Sequence, residues 1–285
     1  MGRVTAFNDA EIVNLLSTRV VPVATHVRDT KRQDADGEFF RSVSKHIRYW
    51  QSGACIFTPD GQVLGQCSAT SRKEVLNLLE SALPKFQPPD EPYVVEPLGE
   101  VDKKNLYVEE APEGTVVVAT MMSHLSERGS GRTPWFDKLL PETVAVDRLW
   151  ILKEEATALA EGTFPESLKT RIAVWHLVDS ITFDQNRGGT IKKFDLELKN
   201  GRLTGSMRMA TEKSHSMQLS ILGFVESKGG QITRFDFVAR GTRQSHKGEP
   251  YPVAFAFSLA DEKHVAFNVP PYPVLGYSQK VYFRN

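Results

Sequence analysis

From Thr190 to Val269 the chain alternates apolar and polar residues with a period of two, and this pattern restricts its architecture more than any other stretch. Ile191–Leu198 and Leu203–Ala210 flank Asn200-Gly201, a dipeptide suited to the positive φ angles of a two-residue hairpin. Met217–Glu226 and Ile232–Arg240 flank Gly229-Gly230 in the same way, and Val253–Leu259 with His264–Val269 reads as a further pair. Parallel strands need crossovers of about a dozen residues or more, which these spacings do not allow. The pattern therefore predicts an antiparallel sheet, curved or closed into a barrel-like form.

The first part of the chain reads differently. Asn8 or Asp9 caps a predicted helix with Ile12, Val13, Leu15 and Leu16 on one face, and Arg19–Ala24 follows as a buried strand. Phe39, Phe40, Val43, Ile47 and Trp50 recur at helical spacing over Glu38–Trp50. Gly53–Gly65 is a hairpin whose turn is fully specified: Pro59 presets φ, Asp60 bonds the backbone, and Gly61 takes the left-handed conformation. Ser71 and Glu74 make a capping box for a helix carrying Val75, Leu76, Leu78, Leu79, Ala82 and Leu83, which ends at Pro84. Pro88, Pro89 and Pro92 then give residues 87–92 the composition of a linker. The expected division is a module over 1–87, connecting structure over 88–164, and an antiparallel β module over 165–285. Within the connecting stretch, Thr115–Thr120 reads as a strand and Leu149–Glu161 as a short helix.

Composition narrows the function classes. A chain of 285 residues accommodates two ordinary domains, and 40% hydrophobic with 25% charged residues excludes a disordered or fibrous protein. Lys+Arg and Asp+Glu both total 35, so no net field steers a nucleic acid or an anionic membrane to the surface. No window approaches the roughly 20 apolar residues of a membrane span. Met1–Asp9 lacks the apolar centre of a secretory signal, so the expected location is the cytoplasm, with a mature periplasmic form of a longer precursor as the alternative.

In the order helix, strand, helix, Pro-Asp-Gly hairpin, helix, the first 85 or so residues resemble the later part of a thioredoxin-like domain. Residues 8–16 followed by Val20-Val21-Pro22-Val23 look like the helix and strand that follow the active-site turn of that family, and Phe57–Val63 looks like its final hairpin. The fold this implies is α+β: a thioredoxin-like α/β module, then an antiparallel sheet or barrel-like module. The family's redox chemistry needs a Cys-x-x-Cys at a helix amino terminus, where the thiol pKa is depressed. This chain has none, and its only cysteines are Cys55 and Cys67. The proline that precedes the family's hairpin strand is also replaced, around Gln51-Ser52. The resemblance thus implies a scaffold that has lost disulfide exchange. The two-part layout is also similar to that of uncharacterised bacterial proteins, a likeness that implies no activity.

Four groups of residues are candidate sites. If Thr58 faces Gln62, then Cys55 faces Gly65 and Cys67 lies on the same face, with Cβ atoms roughly 7 Å apart, against about 3.8 Å in a disulfide. Pro165 opens a predicted helix on which His176 and Asp179 share a face, with Asp184 beyond, so a carboxylate orients an imidazole for acid–base or metal work. Met207, Met209, His215 and Met217 offer thioether and imidazole ligands that suit copper, although methionine equally fills cores; His124 carries the same ambiguity. Residues 240–248 read as a basic, glycine-punctuated loop in which Arg240, Arg243 and His246 hold an anionic ligand. No Gly-x-Ser-x-Gly, His-Glu-x-x-His or phosphate-binding loop occurs, and no motif names a cofactor. The expected function is a non-enzymatic binding or interaction protein for a small molecule or protein. The alternative is an enzyme or copper-type metal protein with its site in the β module.

Overall fold

Asn200 and Gly201 take the turn their sequence predicts, with φ of 51° and 75°, and two long strands run from it. The computed structural model describes residues 7, 9–21, 33–47, 53–67, 72–87, 110–125, 128–129, 138–139, 144–181, 189–211, 216–244, 250–260, 270–276 and 279–283. The chain divides into two units, Met1–Pro97 with Pro134–Phe136, and Leu98–Thr133 with Asp137–Asn285.

In the first unit, helix α1 (Ala10–Arg19) is capped by Asp9, whose side chain accepts from the Glu11 and Ile12 amides. Helix α2 spans Ala35–Ser44 and is capped by Asp34, which accepts from the Gly37 amide. It therefore starts before the predicted Glu38 and ends well before Trp50. Strands β1 (Ala54–Phe57) and β2 (Val63–Cys67) form a two-stranded antiparallel hairpin, and helix α3 covers Arg72–Ala82. Ile12, Val75 and Leu79 make its core with Ala54, Ile56 and Cys67 packed on them, while Phe39 of α2 lies 5.5 Å from Phe57, ring centre to ring centre. The turn has Gly61 at φ 91° and a Thr58 amide bonded to the Gln62 carbonyl at 2.9 Å. Val20 and Val21 are not strand, Val21 is exposed, and residues 22–24 lie outside the described residues.

The second unit is built on seven antiparallel strands in the order β6-β3-β11-β10-β9-β8-β7. These are β3 (Val116–His124), β6 (Val144–Ile151), β7 (Gly189–Lys199), β8 (Arg202–Thr211), β9 (Ser216–Lys228), β10 (Gln231–Gln244) and β11 (Tyr251–Leu259). A minor ladder pairs β4 (Arg128–Gly129) with β5 (Lys138–Leu139). The stretch read as connecting structure thus supplies two strands of the large sheet, and Leu149–Ile151 belong to β6 rather than to a helix. The predicted strand His264–Val269 lies outside the described residues.

One face of the sheet is covered. Phe235, Phe237 and Ala239 on β10, with Val253, Phe255 and Phe257 on β11, alternate inward and are buried. Helix α4 (Lys153–Ala160) packs on β9 and β10, and α5 (Glu166–Arg171) passes without a break into a π-helical turn, Ile172–His176. Phe164 lies 6.3 Å from Phe235 and His176 lies 6.5 Å from Phe257, ring centre to ring centre, so this helical segment lies on the same face. Short helices α6 (Tyr272–Gly276) and α7 (Gln279–Tyr282) meet edge strand β6: the Tyr272 amide donates to Asp147 at 2.9 Å and the Trp150 amide to the Tyr282 hydroxyl at 3.2 Å. The other edge, β7, exposes Lys192, Lys193, Asp195 and Glu197, charges that discourage pairing with another chain. No helix among the described residues is long and apolar enough to cross a membrane.

Two glycines on the sheet show how closely its strands approach. A Cβ at Gly241 would fall on the Gln218 carbonyl oxygen, and one at Gly223 on that of Asp236. Backbone atoms cannot swing aside as a side-chain end can, so these positions admit no side chain without a local shift of the ladder. Gly241→Ala is expected to lower unfolding stability by about 1 to 3 kcal/mol, measured by chemical denaturation. A change within experimental error would show that the close approach is not a constraint.

Candidate functional site

The covered face of the sheet turns polar at one end. Register places Met209 opposite Met217, Met217 opposite Arg243, and Arg243 opposite Tyr251, and the next row inward carries Val253 opposite His124. Arg243 and Tyr251 are in phase with the buried apolar residues of their strands, so both point to the covered side. Asp179, just past the π-helical turn, meets them there. Its Oδ2 accepts from the Tyr251 hydroxyl at 2.8 Å and lies 3.1 Å from His124 Nε2, with Arg243 Nε at an ion-pair distance of 3.6 Å. Its Oδ1 accepts from the Ile181 amide at 3.1 Å. Asp179, His124, Arg243 and Tyr251 are 0, 1, 1 and 5% exposed.

Charge and tautomer follow from these contacts. A buried carboxylate needs donors on both oxygens, and here it has a hydroxyl, an amide and an imidazole, with the Arg243 guanidinium at ion-pair distance offsetting its charge. Because Asp179 is an acceptor, His124 donates its Nε2–H, which leaves the Nδ1 lone pair facing away from the carboxylate. His124 Nδ1 is buried and has no hydrogen-bond partner among the described residues. The His124 and Tyr251 rings meet edge to face at 5.0 Å, which fixes the plane in which that lone pair lies. Chemically the arrangement can accept a hydrogen bond at Nδ1, or donate one once that nitrogen carries a proton.

His176 belongs to a different cluster. The helix closes at His176, so Asp179 is not one turn further along a common face, and the two side chains bond different partners. His176 Nε2 lies 2.8 Å from the Tyr282 hydroxyl. That oxygen also accepts from the Trp150 amide, and its own proton is available to Nε2 of the neutral imidazole. Arg171 stacks over the rings of Phe283 at 4.9 Å and Tyr282 at 5.4 Å and pairs with Glu155. Glu155 also accepts from Ser167 Oγ at 2.6 Å and from the Leu152 amide at 3.0 Å, closing the first turn of α4. Burial, and secondarily the Arg171 charge, push His176 down to about 3, and burial raises Tyr282 well above the ordinary phenol value. A histidine held neutral in this way is a packing element and not an acid–base group at neutral pH.

The remaining candidates separate. Arg240 and Arg243 lie on strand β10 and not in a loop; they point to opposite faces, Arg240 exposed and Arg243 buried, because they differ by an odd number of residues. Met207, Met209 and Met217 are all buried on the covered face. His215, His246 and Asp184 lie outside the described residues. No group of three or more histidine, cysteine or acidic side chains suited to a metal occurs among the described residues.

Cys55 and Cys67 form no disulfide. A bulge between Ile56 and Phe57 slips the hairpin register, so that Cys55 pairs with Gln66 and Ala54 with Cys67. A slip of one residue reverses the faces, so the two sulfurs point to opposite sides and not to the same side as the unslipped pairing predicts. Burial first, then the neighbouring Cys67, raise the Cys55 thiol above its ordinary value, which keeps it from the thiolate form.

No known family model, curated protein or solved structure matches the chain.

The neutral state of His176 sets a pH dependence. Its folded value near 3 lies below the ordinary 6.5, so between these limits the unfolded chain binds the extra proton. The stability it contributes is complete above the unfolded value and is lost as pH falls toward the folded one. Acidification across this window should raise the unfolding equilibrium constant by up to about tenfold per pH unit, and His176→Gln should lessen that slope in urea titrations run across the window. Equal slopes for the two proteins would contradict the assignment.

Proposed function

We propose that the chain is a non-enzymatic binding protein: a redox-inactive thioredoxin-like module joined to an antiparallel β module that holds a small ligand. The observation that carries this reading is the meeting of Asp179, His124, Tyr251 and Arg243 from four separate segments at one end of the covered sheet face, with the buried Nδ1 of His124 open among the described residues. Buried polar atoms are nearly always satisfied, and an imidazole fixed by a carboxylate on one nitrogen presents the other to a bound molecule. The thioredoxin-like part draws support from the order α1, α2, hairpin, α3, with helices packed on both faces of the hairpin. Loss of its redox function draws support from the missing Cys-x-x-Cys and the opposed, unactivated thiols.

A second reading, an enzyme of the β module, uses the same open nitrogen as a general base oriented by Asp179. Native mass spectrometry separates the two. The full chain is incubated with a protein-free small-molecule extract of cells, desalted and weighed intact beside His124→Gln of matching circular dichroism. The binding reading expects an unaltered small molecule retained by the parent chain and lost from the variant. A retained molecule chemically changed from its form in the extract selects the enzyme, and no retention, or equal retention by both proteins, contradicts the site.

A further inference from the structure

We infer that the outer face of the seven-stranded sheet, from β7 to β3, is an interface with a second copy of this chain, the two sheets stacked about a two-fold axis that runs across the strands. The free face of an antiparallel sheet ordinarily carries polar residues, and apolar ones scattered singly on it need no explanation. Here they are contiguous. Register sets Leu222 opposite Val238, Val238 opposite Ala256, and Ala256 opposite Met121, so one straight row crosses β9, β10, β11 and β3. Leu222, Val238 and Met121 are 50, 48 and 36% exposed, and Phe224, one row along from Leu222, is 40% exposed. All four are out of phase with the buried residues of their strands and point away from the side that holds Asp179. The interface therefore shares no side chain with the Asp179 cluster.

Charge selects the occupant and its orientation. A pleated face is complementary to another sheet, which packs at about 10 Å with strands nearly aligned. A two-fold axis along the apolar row lays that row on itself, and brings the row on one side of it over the partner's row from the other side. One flanking row carries Lys199 and Asp236, and the other carries Asp195 and Arg240. Lys199 then meets the Asp195 of the second copy and Asp236 meets its Arg240, each pair formed twice by symmetry. Asp236 already accepts from Arg234 and Ser258, both at 2.9 Å, whereas the exposed Arg240 has no ion pair among the described residues. Glu197 meets its own copy at the outermost strand, β7, where it is exposed and solvent screens the repulsion. The face from β7 to β3 spans about 800 Å² at ordinary strand and row spacings, which matches the share each partner gives to a standard interface, also about 800 Å².

The test is sedimentation velocity on the full chain from about 1 to about 200 μM, where interfaces of this size associate. The parent chain should reach twice its 31.9 kDa. Val238→Lys sets two like charges on the axis and should weaken association by at least about a hundredfold. Arg240→Glu and Asp236→Lys should each weaken it by at least about tenfold, and the two together should restore it to within about threefold of the parent. Within one copy these two residues are four apart on a strand, about 13 Å, so recovery requires pairing between copies. Circular dichroism and urea unfolding establish that each variant is folded, and if Val238→Lys is not, the charge pair decides. A parent chain that stays monomeric overturns the inference, and a loss of stability in Val238→Lys would then show that another part of the chain covers the face. A dimer that Val238→Lys leaves intact forms elsewhere and also overturns it, as does a double variant that shows no recovery.

Discussion

A fully buried carboxylate organises the second unit. Asp179 has no exposed surface, and an ionised carboxylate removed from water is tolerated only when its oxygens are bonded and its charge is offset. The groups that meet it come from places far apart in sequence: the donors Ile181 two residues on, His124 on β3 and Tyr251 on β11, and the Arg243 cation on β10 at ion-pair distance. Satisfying one group therefore ties the end of the helical segment to three neighbouring strands. The same bonds fix the tautomer of His124 and the direction of its free nitrogen. Fold and candidate site thus share one cause.

The helical segment is held at its other end by a second polar cluster. Glu155 closes the first turn of α4, pairs with Arg171, and through the Arg171 cation meets Tyr282 and Phe283 from the last residues of the described chain. Tyr282 in turn bonds His176 and the outward amide of Trp150 on edge strand β6. An edge amide is usually a template for another strand, and here a phenol occupies it. Between these two clusters lie Leu159, Leu168, Ile172, Ala173 and Leu177, all buried against the sheet. The apolar contacts supply the driving force, and the polar groups at the two ends set the position of the segment along the strands.

Much of the sheet was legible because period-two alternation is local information. The strands around Asn200-Gly201 and Gly229-Gly230 were readable to within a few residues, since a hairpin is specified by its own turn. The strand read over Thr115–Thr120 is the first part of β3, but its place in the large sheet was not readable and β6 was missed, because their pairing partners lie far off in sequence and no hairpin joins them to β11. Arg243 could be distinguished from Arg240 by phase alone: it falls in step with Phe235, Phe237 and Ala239, and a charged residue in step with a buried face must find a buried partner. Tyr251 carries the same signal, in step with Val253, Phe255 and Phe257. The pairing of Asp179 with His124 was not readable, because it depends on where the helix stops. A π-helical turn ending at His176 breaks the spacing that would have set His176 and Asp179 side by side. In the hairpin of the first unit a single bulge reversed the expected relation of Cys55 and Cys67, an outcome that residue types alone do not encode.

Asp179 and Arg243 act as one unit with the strands they join, and a double-mutant cycle on unfolding stability tests this most directly. Asp179→Asn and Arg243→Met are made singly and together in the full chain, and each is unfolded in urea. A coupling energy of about 1 to 3 kcal/mol is predicted, the double variant being less destabilised than the sum of the single ones. Additivity to within about 0.5 kcal/mol would mean that the carboxylate and the guanidinium are buried independently, and would contradict the account.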